Sequence, residues 1–273
     1  MEEKKKELLI IIPAYNEVKT IGGLLDKLEN SGITSWADIL VMNDASNDGT
    51  GKLVKSRGYT VVTHIFNLGY GSGLQLGYKY AARNAYKYVI QMDADGQHDI
   101  SNIEIIYNKL KEVGENGETP DIVLGSRFVE GASPFKVSVV IKIAIKLFRL
   151  LIRIFGHQKI TDPTTGLQGL SHRAFYFYSG YNHFDDKYPD ANMILQMLLL
   201  GFNITEVPAV MHIRTEGVSM HSGLKPIIYM IRMMYSIIAV WTRIRLFHTD
   251  LEGAAIHVKN ISENQFTEDI QKK

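Results

Sequence analysis

The sequence predicts an α/β protein built on a mostly parallel, Rossmann-like sheet flanked by helices, and two features of its first half carry that expectation. Short runs that are apolar throughout alternate with segments whose apolar residues fall at helical spacing. Strands apolar on both faces must be covered on both, which is the situation of a parallel sheet between helices. The second feature is positional: polar or glycine-rich clusters recur just past the carboxyl ends of these runs. Open α/β sheets collect their ligands there.

In chain order, Leu8–Ile12 is a strand that runs into Pro13, Ala14, Tyr15, Asn16 and Glu17. Ile21, Leu24, Leu25 and Leu28 then form one face of a helix. Asp38–Met42 is the second strand, followed by Asn43, Asp44 and the stretch ending Asp48, Gly49, Thr50. Thr60–Ile65 is the third, followed by Asn67 and the glycines Gly69, Gly71 and Gly73, with Leu74, Tyr78 and Ala81 at helical spacing beyond. Tyr88–Met92 is the fourth and ends in Asp93, Asp95 and Gln97; Asp121–Gly125 is the fifth. After Ser126 the rhythm gives way to two basic, apolar helices separated by polar blocks.

A chain of 273 residues with 45% hydrophobic content can bury the core of one large domain. A formal net charge of +1 argues against bulk electrostatic binding to nucleic acid. The absence of cysteine excludes disulfides, thiolate metal sites and a cysteine nucleophile. The N-terminal segment is too short and too mixed in charge for a signal peptide. No window holds the ~20 uncharged apolar residues of a spanning helix. The chain is expected to be intracellular, either soluble or peripheral to a membrane.

Asp93, Asp95 and Gln97 alternate, and on an extended segment alternate side chains point the same way. Three oxygen ligands converging on one point suit Mg²⁺ or Mn²⁺, which retains waters and substrate phosphates. The glycines before the second helix either let backbone amides approach an anion at the helix N-terminus or simply make a tight turn. Asn43 and Asp44 offer acceptors to a base or ribose, and Asp48 is equally suited to capping a helix.

The segments IIPAYNE, VMNDASNDGT, NLGYGSGLQLGYKYA, VIQMDADGQHD, GSRF, DPTTGLQGL, YPDANM and EVPAVMHIRTEGVS follow one another across residues 8–222. In that order and spacing the chain resembles the family 2 glycosyltransferases, above all the bacterial cell-surface polysaccharide members, with the dolichol-phosphate mannosyltransferase-like enzymes close by. The resemblance implies an A-type glycosyltransferase fold in one domain over 1–251. Residues 8–125 would bind the nucleotide sugar, 126–222 the acceptor, and 223–251 would form an amphipathic helix ahead of a polar, loosely ordered tail, 252–273. It implies a nucleotide-sugar site of Pro13, Ala14, Tyr15, Glu17, Asn43, Asp44, Asn67, Gly71, Asp93, Ala94, Arg127 and Arg214. Asp93, Asp95 and Gln97 become the metal ligands. Asn43 stands where the family usually has a first aspartate, which leaves the base open.

The implied reaction is metal-dependent, inverting transfer of a sugar from a UDP- or GDP-sugar to a glycan or polyprenyl-phosphate acceptor. A hydroxyl acceptor requires a carboxylate to take its proton. Asp190, preceded by Pro189 rather than the family's glutamate, is either that base or a helix N-cap. Asp162 is the competing candidate or a turn former. A lipid phosphate, already anionic, needs no base. Leu167 and Gln168 replace a frequent Phe-Arg pair, a change expected to alter the acceptor side. His98 and His221 flank the site without an assigned role.

Lys142, Lys146, Arg149 and Arg153 share one face of a helix otherwise rich in Val, Ile and Leu. Such a helix either lies in a membrane interface or packs on the core with a solvated basic stripe. The helix around Ile227–Phe247 adds a second apolar surface, which a membrane, a membrane subunit or a second copy of the chain would cover. The location expected is the cytoplasm or the inner face of the cell membrane. A sugar nucleotidyltransferase would need a glycine-rich, lysine-bearing loop after the first strand, and Pro-Ala-Tyr-Asn-Glu is not one. A catalytically degenerate, nucleotide-binding scaffold subunit is the remaining alternative.

Overall fold

The computed structural model describes residues 6–115, 117–134, 137–212, 225–247 and 250–261. The first three strands are β1 (Leu8–Ala14), β2 (Ala37–Asn43) and β3 (Thr60–Thr63). They are followed by β4 (Tyr88–Gln91), β5 (Ile122–Ser126), β6 (Gln168–Ser171) and β7 (Ile204–Pro208). Together they form one sheet in the order β3-β2-β1-β4-β6-β5-β7. All neighbours are parallel except β6, which runs antiparallel to β4 and β5.

The period of two along a strand divides the core. In β1, Leu8, Ile10 and Ile12 pack under α1 (Val18–Asn30), α2 (Thr50–Ser56) and α4 (Ser101–Lys111). Leu9 and Ile11 face the opposite layer, which begins with α3 (Tyr70–Arg83) and continues with α5 (Val139–Gly156) and α6 (His172–Ser179). That layer is completed by α7 (Ala191–Leu199), α8 (Lys225–Arg245) and α9 (Leu251–Asn260). Both faces of β1 are therefore buried, as its unbroken apolar run requires.

The five expected strands are present. β6 and β7 lie in the second half, where no strand was expected. β6 is short and polar, and a Cβ at its Gly169 would collide with Ile106 Cγ2 of α4, so glycine allows that helix to close on the sheet. The segment past Glu252, expected to be loosely ordered, carries α9, whose Leu251, Ala255 and Val258 are buried. Lys259 Nζ of that helix donates to Leu200 O at 3.0 Å.

α5 and α8 pack side by side, with Phe148 against Tyr229 (6.2 Å between ring centres) and Phe155 against Trp241 (5.2 Å). Ala144, Ile145, Phe148 and Ile152 of α5 are buried, whereas Ile143, Leu150 and Ile154 are more than half exposed. Lys142, Lys146 and Arg153 are exposed beside them, but Arg149 turns inward and stacks on Phe128, 4.9 Å from the ring centre. The outward face is thus basic and apolar at once. In α8, Ile227–Arg245 has a mean hydropathy of 1.4 and is long and apolar enough to cross a membrane by length and composition.

Candidate active site at the carboxyl ends of the strands

The loops after β1 and β2 are stitched together. Asp48 Oδ2 accepts from Val18 N at 3.0 Å, and its Oδ1 accepts from Thr50 N (2.9 Å) and Thr50 Oγ1 (2.6 Å), so one carboxylate caps two helix starts. Thr50 Oγ1 in turn accepts from Glu17 N at 2.9 Å. Pro13 and Ala14 end β1, and Tyr15 stands 50% exposed just beyond them, available to a planar ligand.

Asn43 and Asp44 are buried and hold protein rather than presenting open acceptors. Asp44 accepts from Leu68 N and Gly69 N at 2.9 Å each and pairs with His64 Nδ1 at 2.7 Å. Asn43 accepts from Ser46 N and donates to Thr63 Oγ1. These contacts fix the β3–α3 loop, on which Asn67 is exposed. The glycine-rich turn serves close approach, but of the chain itself: a Cβ on Gly71 would run into Asp185 O. Ser72 N, in the first turn of α3, donates to Asp186 O at 3.0 Å.

β4 ends at Gln91, so the Asp93–Gln97 segment is a turn and not the extended stretch expected. Gly96 takes φ +75°, and Asp95 Oδ1 accepts from Gln97 N at 3.0 Å. Asp93 is held by two neighbours through three contacts. Its N–H donates to His98 Nδ1 at 3.1 Å, its Oδ1 accepts from Tyr70 Oη at 3.0 Å, and His98 Nε2 lies 3.8 Å from Oδ2. Because Nδ1 accepts, the neutral His98 carries its proton on Nε2, toward the carboxylate. Gly166 packs so closely that a Cβ there would lie 2.9 Å from Asp93 Oδ2. Ala94 is buried beneath the turn, and Gln97 O accepts from His212 N at 2.7 Å.

Arg127, just past β5, is gripped by Asp162, with Nε–Oδ2 and Nη2–Oδ1 both at 2.7 Å and a backbone bond from Arg127 N to Oδ2 at 3.0 Å. Asp162 has no exposed surface, and Glu206 of β7 anchors its loop through Thr161 N, Thr161 Oγ1 and Asp162 N. Burial opposes the charge on Arg127, but the Asp162 hydrogen bonds and charge, with Asp190 nearby, hold it firmly protonated. Leu167 and Gln168, which stand in place of the family's Phe-Arg pair, are both buried.

Asp190 occupies the N-cap position of α7, yet its side chain makes no cap hydrogen bond. It turns instead to Tyr229 of α8, whose hydroxyl donates to Oδ2 at 2.5 Å. Burial raises its pKa to about 6; Asp93 and Asp185 push the same way, while the Tyr229 bond and Arg127 oppose them. Tyr70 is raised well above its usual value by burial and by the charges of Asp93 and Asp190, so it remains a neutral donor between the two carboxylates. Asp93, Arg127 and Asp190 thus share one electrostatic neighbourhood, with Asp95 beside Asp93. Arg214 and His221 lie outside the described residues. Tyr70, Tyr229, Gly166 and the positioning role of His98 escaped the sequence reading, because nothing in their local pattern separates them from packing residues.

Among the described residues no three His, Asp or Glu side chains cluster as a closed metal cage. A cation that keeps waters and binds substrate phosphates needs only one or two carboxylates, and the Asp93–Asp95 turn fits that more open arrangement.

The sequence model described as Glycosyl transferase family 2 matches residues 9–178. The undecaprenyl-phosphate mannosyltransferase of Micrococcus luteus is 28% identical over 230 residues, covering 79% of this chain and 88% of that one. The polyprenol monophosphomannose synthase of Mycolicibacterium smegmatis is 27% identical over 227 residues, 79% of this chain and 81% of its own. In structure, glucosyl-3-phosphoglycerate synthase from Mycobacterium tuberculosis, solved with Mn²⁺, UDP and glucosyl-3-phosphoglycerate, superposes with a TM-score of 0.60 at 16% identity. The match covers 88% of this chain and 80% of that one. The sheet order and flanking helices are those of the A-type glycosyltransferase fold, and the chain belongs to glycosyltransferase family 2.

Proposed function

We propose that this glycosyltransferase moves a sugar, with inversion, from a nucleotide sugar to a polyprenyl phosphate at the cytoplasmic face of a membrane. The observation that carries this reading is the gathering of charged groups past the strand ends: Asp93 and Arg127 both act on Asp190 through their charges, and Asp95 sits on the same turn as Asp93. A single in-line displacement needs such groups for its leaving phosphate and for its acceptor.

Asp93, Asp95 and Gln97 would hold Mg²⁺ or Mn²⁺, which supplies neutralisation of the diphosphate as it leaves. Tyr15, Glu17 and the Asp44-anchored loop with Asn67 line the nucleotide's side of the site. Arg127, fixed by Asp162, places a charge where phosphate oxygens gather. Asp190 faces the acceptor. A phosphate monoester keeps its last proton up to a pKa of roughly 6, so a carboxylate with a pKa of about 6 is matched to receive it. The relatives named for undecaprenyl phosphate and polyprenol support a lipid-phosphate acceptor. The outward faces of α5 and α8 support the membrane: they are apolar and basic, and both helices lack Asp and Glu.

A thermal-shift panel of UDP, GDP, dTDP and CDP, each with and without Mn²⁺, tests the donor half. A metal-dependent rise with one nucleotide is expected, and Asp95→Ala removes it. A flat response to all of them would count against a nucleotide-sugar donor.

A further inference from the structure

α7 begins differently from its neighbours in the same layer. α5 and α6 each start on a serine whose hydroxyl caps the helix: Ser138 accepts from Ile141 N and Ser171 from Ala174 N. Both serines are in extended backbone, with ψ of 159° and 163°, the ordinary pose of a capping residue. Asp190 stands at the same position before α7 with φ −118° and ψ −121°, and its carboxylate caps nothing there.

The cap comes from inside the helix instead. Asn192 is 1% exposed, and its Oδ1 accepts from Asp190 N at 3.0 Å and from Met193 N at 2.9 Å. Each N–H is shared with a backbone carbonyl, Tyr188 O for the first and Asp190 O for the second. What the side chain adds is a bridge, one oxygen bonded to both groups. Its Nδ2 donates to Asp185 Oδ2 and to Ser236 Oγ of α8 at 2.8 Å each. Both donors and both lone pairs of the amide are thus used, and two N–H groups on one side and a carboxylate on the other allow it only this orientation. Asp185 is anchored in turn: its Oδ1 accepts from Lys187 N and Tyr188 N, and the backbone of Asp185 and Asp186 sits on the glycine turn that opens α3. Asn192 therefore takes its place from α3 and α8 as well as from its own helix.

We infer that Asn192 is a positioning residue for Asp190: by bridging the two N–H groups at the start of α7 it holds residue 190 out of the capping pose and delivers its carboxylate to Tyr229 and the site. This deepens the proposed reaction, in which Asp190 serves the acceptor, and takes its functional meaning from it. Without the bridge, residue 190 relaxes to the pose of Ser138 and Ser171. Its carboxylate then turns to the N–H groups of the first turn, which aspartate caps as well as any residue does. The Tyr229 hydroxyl, which donates to Asp190 Oδ2 at 2.5 Å, loses its acceptor.

A double-mutant cycle in urea denaturation tests this without substrate. In the wild type, Tyr229→Phe should lower the folding equilibrium constant about 10-fold, the worth of one hydrogen bond to a charged group. In an Asn192→Ala background the same change should cost less than about 2-fold, because the bond is already gone. Asn192→Ser, which keeps a polar group in the buried site but is one atom too short for the bridge, takes the place of the alanine variant if that does not fold. The exchange Asn192→Asp with Asp185→Asn keeps the bridging oxygen, the net charge and the contact between the two side chains. It should restore the full Tyr229→Phe cost, which a loss of packing alone would not do. A Tyr229→Phe cost that is unchanged in the shortened variants, or already below 2-fold in the wild type, overturns the inference. Once a donor is known, Asn192→Ala should lower kcat with the donor KM unchanged, and the exchanged pair should recover it. If the cycle behaves as expected but no sugar is transferred by the wild type, the proposed reaction has failed and the positioning of Asp190 stands.

Discussion

Arg127 and Asp162 meet in a two-point ion pair, both bonds at 2.7 Å, with the carboxylate sealed from solvent. Two readings competed for Asp162, a catalytic base or a turn former. The geometry favours a third: its oxygens are engaged by Arg127, and its own loop is hung from Glu206. A buried pair is costly to break because the survivor is left charged and unpaired. Asp162→Ala should therefore destabilise the protein by about 3–5 kcal/mol in urea denaturation. Transfer should fall with it through misplacement of Arg127. A variant of near-native stability would show that Asp162 is not the anchor described here.

Asp190 has the opposite profile. Its folded-state pKa of about 6 lies above the ordinary value of 3.8. A raised carboxylate pKa gives stability that is complete below the unfolded value and is lost as pH rises through the folded one. At pH 8 the ionised group is a burden, so Asp190→Asn should raise Tm there, by on the order of 1 kcal/mol of stability. The gain should vanish below pH 4, and thermal melts at the two pH values check it.

The same substitution separates acceptors. With a phosphate acceptor, Asp190→Asn should lower kcat at pH 5.5 more than at pH 8, where the acceptor has already lost its proton. With a hydroxyl acceptor, transfer should collapse at every pH. A pH–rate profile with each acceptor distinguishes them.

Gly166 tests the placement of Asp93. A methyl group at this position would lie 2.9 Å from Asp93 Oδ2 and 3.3 Å from Tyr70 Oη. The atoms it meets are the ends of side chains, so Gly166→Ala should fold normally and push the carboxylate aside. The expected result is a melting temperature close to wild type with the Mn²⁺-dependent nucleotide shift reduced or lost.

Asp44 should prove an anchor. Asp44→Ala strips two backbone N–H groups and His64 of their acceptor. Leaving buried donors unsatisfied costs about 1–3 kcal/mol each. Loss of stability together with weaker nucleotide binding is expected, read by denaturation and by the nucleotide panel.

The sequence was most legible where one physical demand dominates. β1, β2 and β5 are buried on both faces, and unbroken apolar runs announce that. β6 was invisible because Gln168, Gly169 and Ser171 have little strand character of their own; its pairing with β4 and the fit of α4 over Gly169 make it a strand. Polar residues at strand ends pointed to one end of the sheet, but not to which of them are buried in contacts with the protein itself. Asp44 and a ligand-binding aspartate look alike in sequence, since loop N–H groups and a ribose ask for the same acceptor. The alternation at Asp93, Asp95 and Gln97 misled for a local reason: Gly96 at positive φ turns the chain where an extended strand was assumed. Tyr229 gave no signal, being one aromatic residue in an apolar helix.

The most direct measurement of the central claim is transfer itself. The purified protein is incubated with each nucleotide sugar, a short-chain polyprenyl phosphate, Mn²⁺ and vesicles containing phosphatidylglycerol, and the lipid is analysed by mass spectrometry. A glycosylated lipid phosphate is expected with one donor, of inverted anomeric configuration, absent with chelator and absent with Asp95→Ala. Product that forms equally well in the presence of chelator or from Asp95→Ala, or no product from any donor while a nucleotide binds, would contradict it.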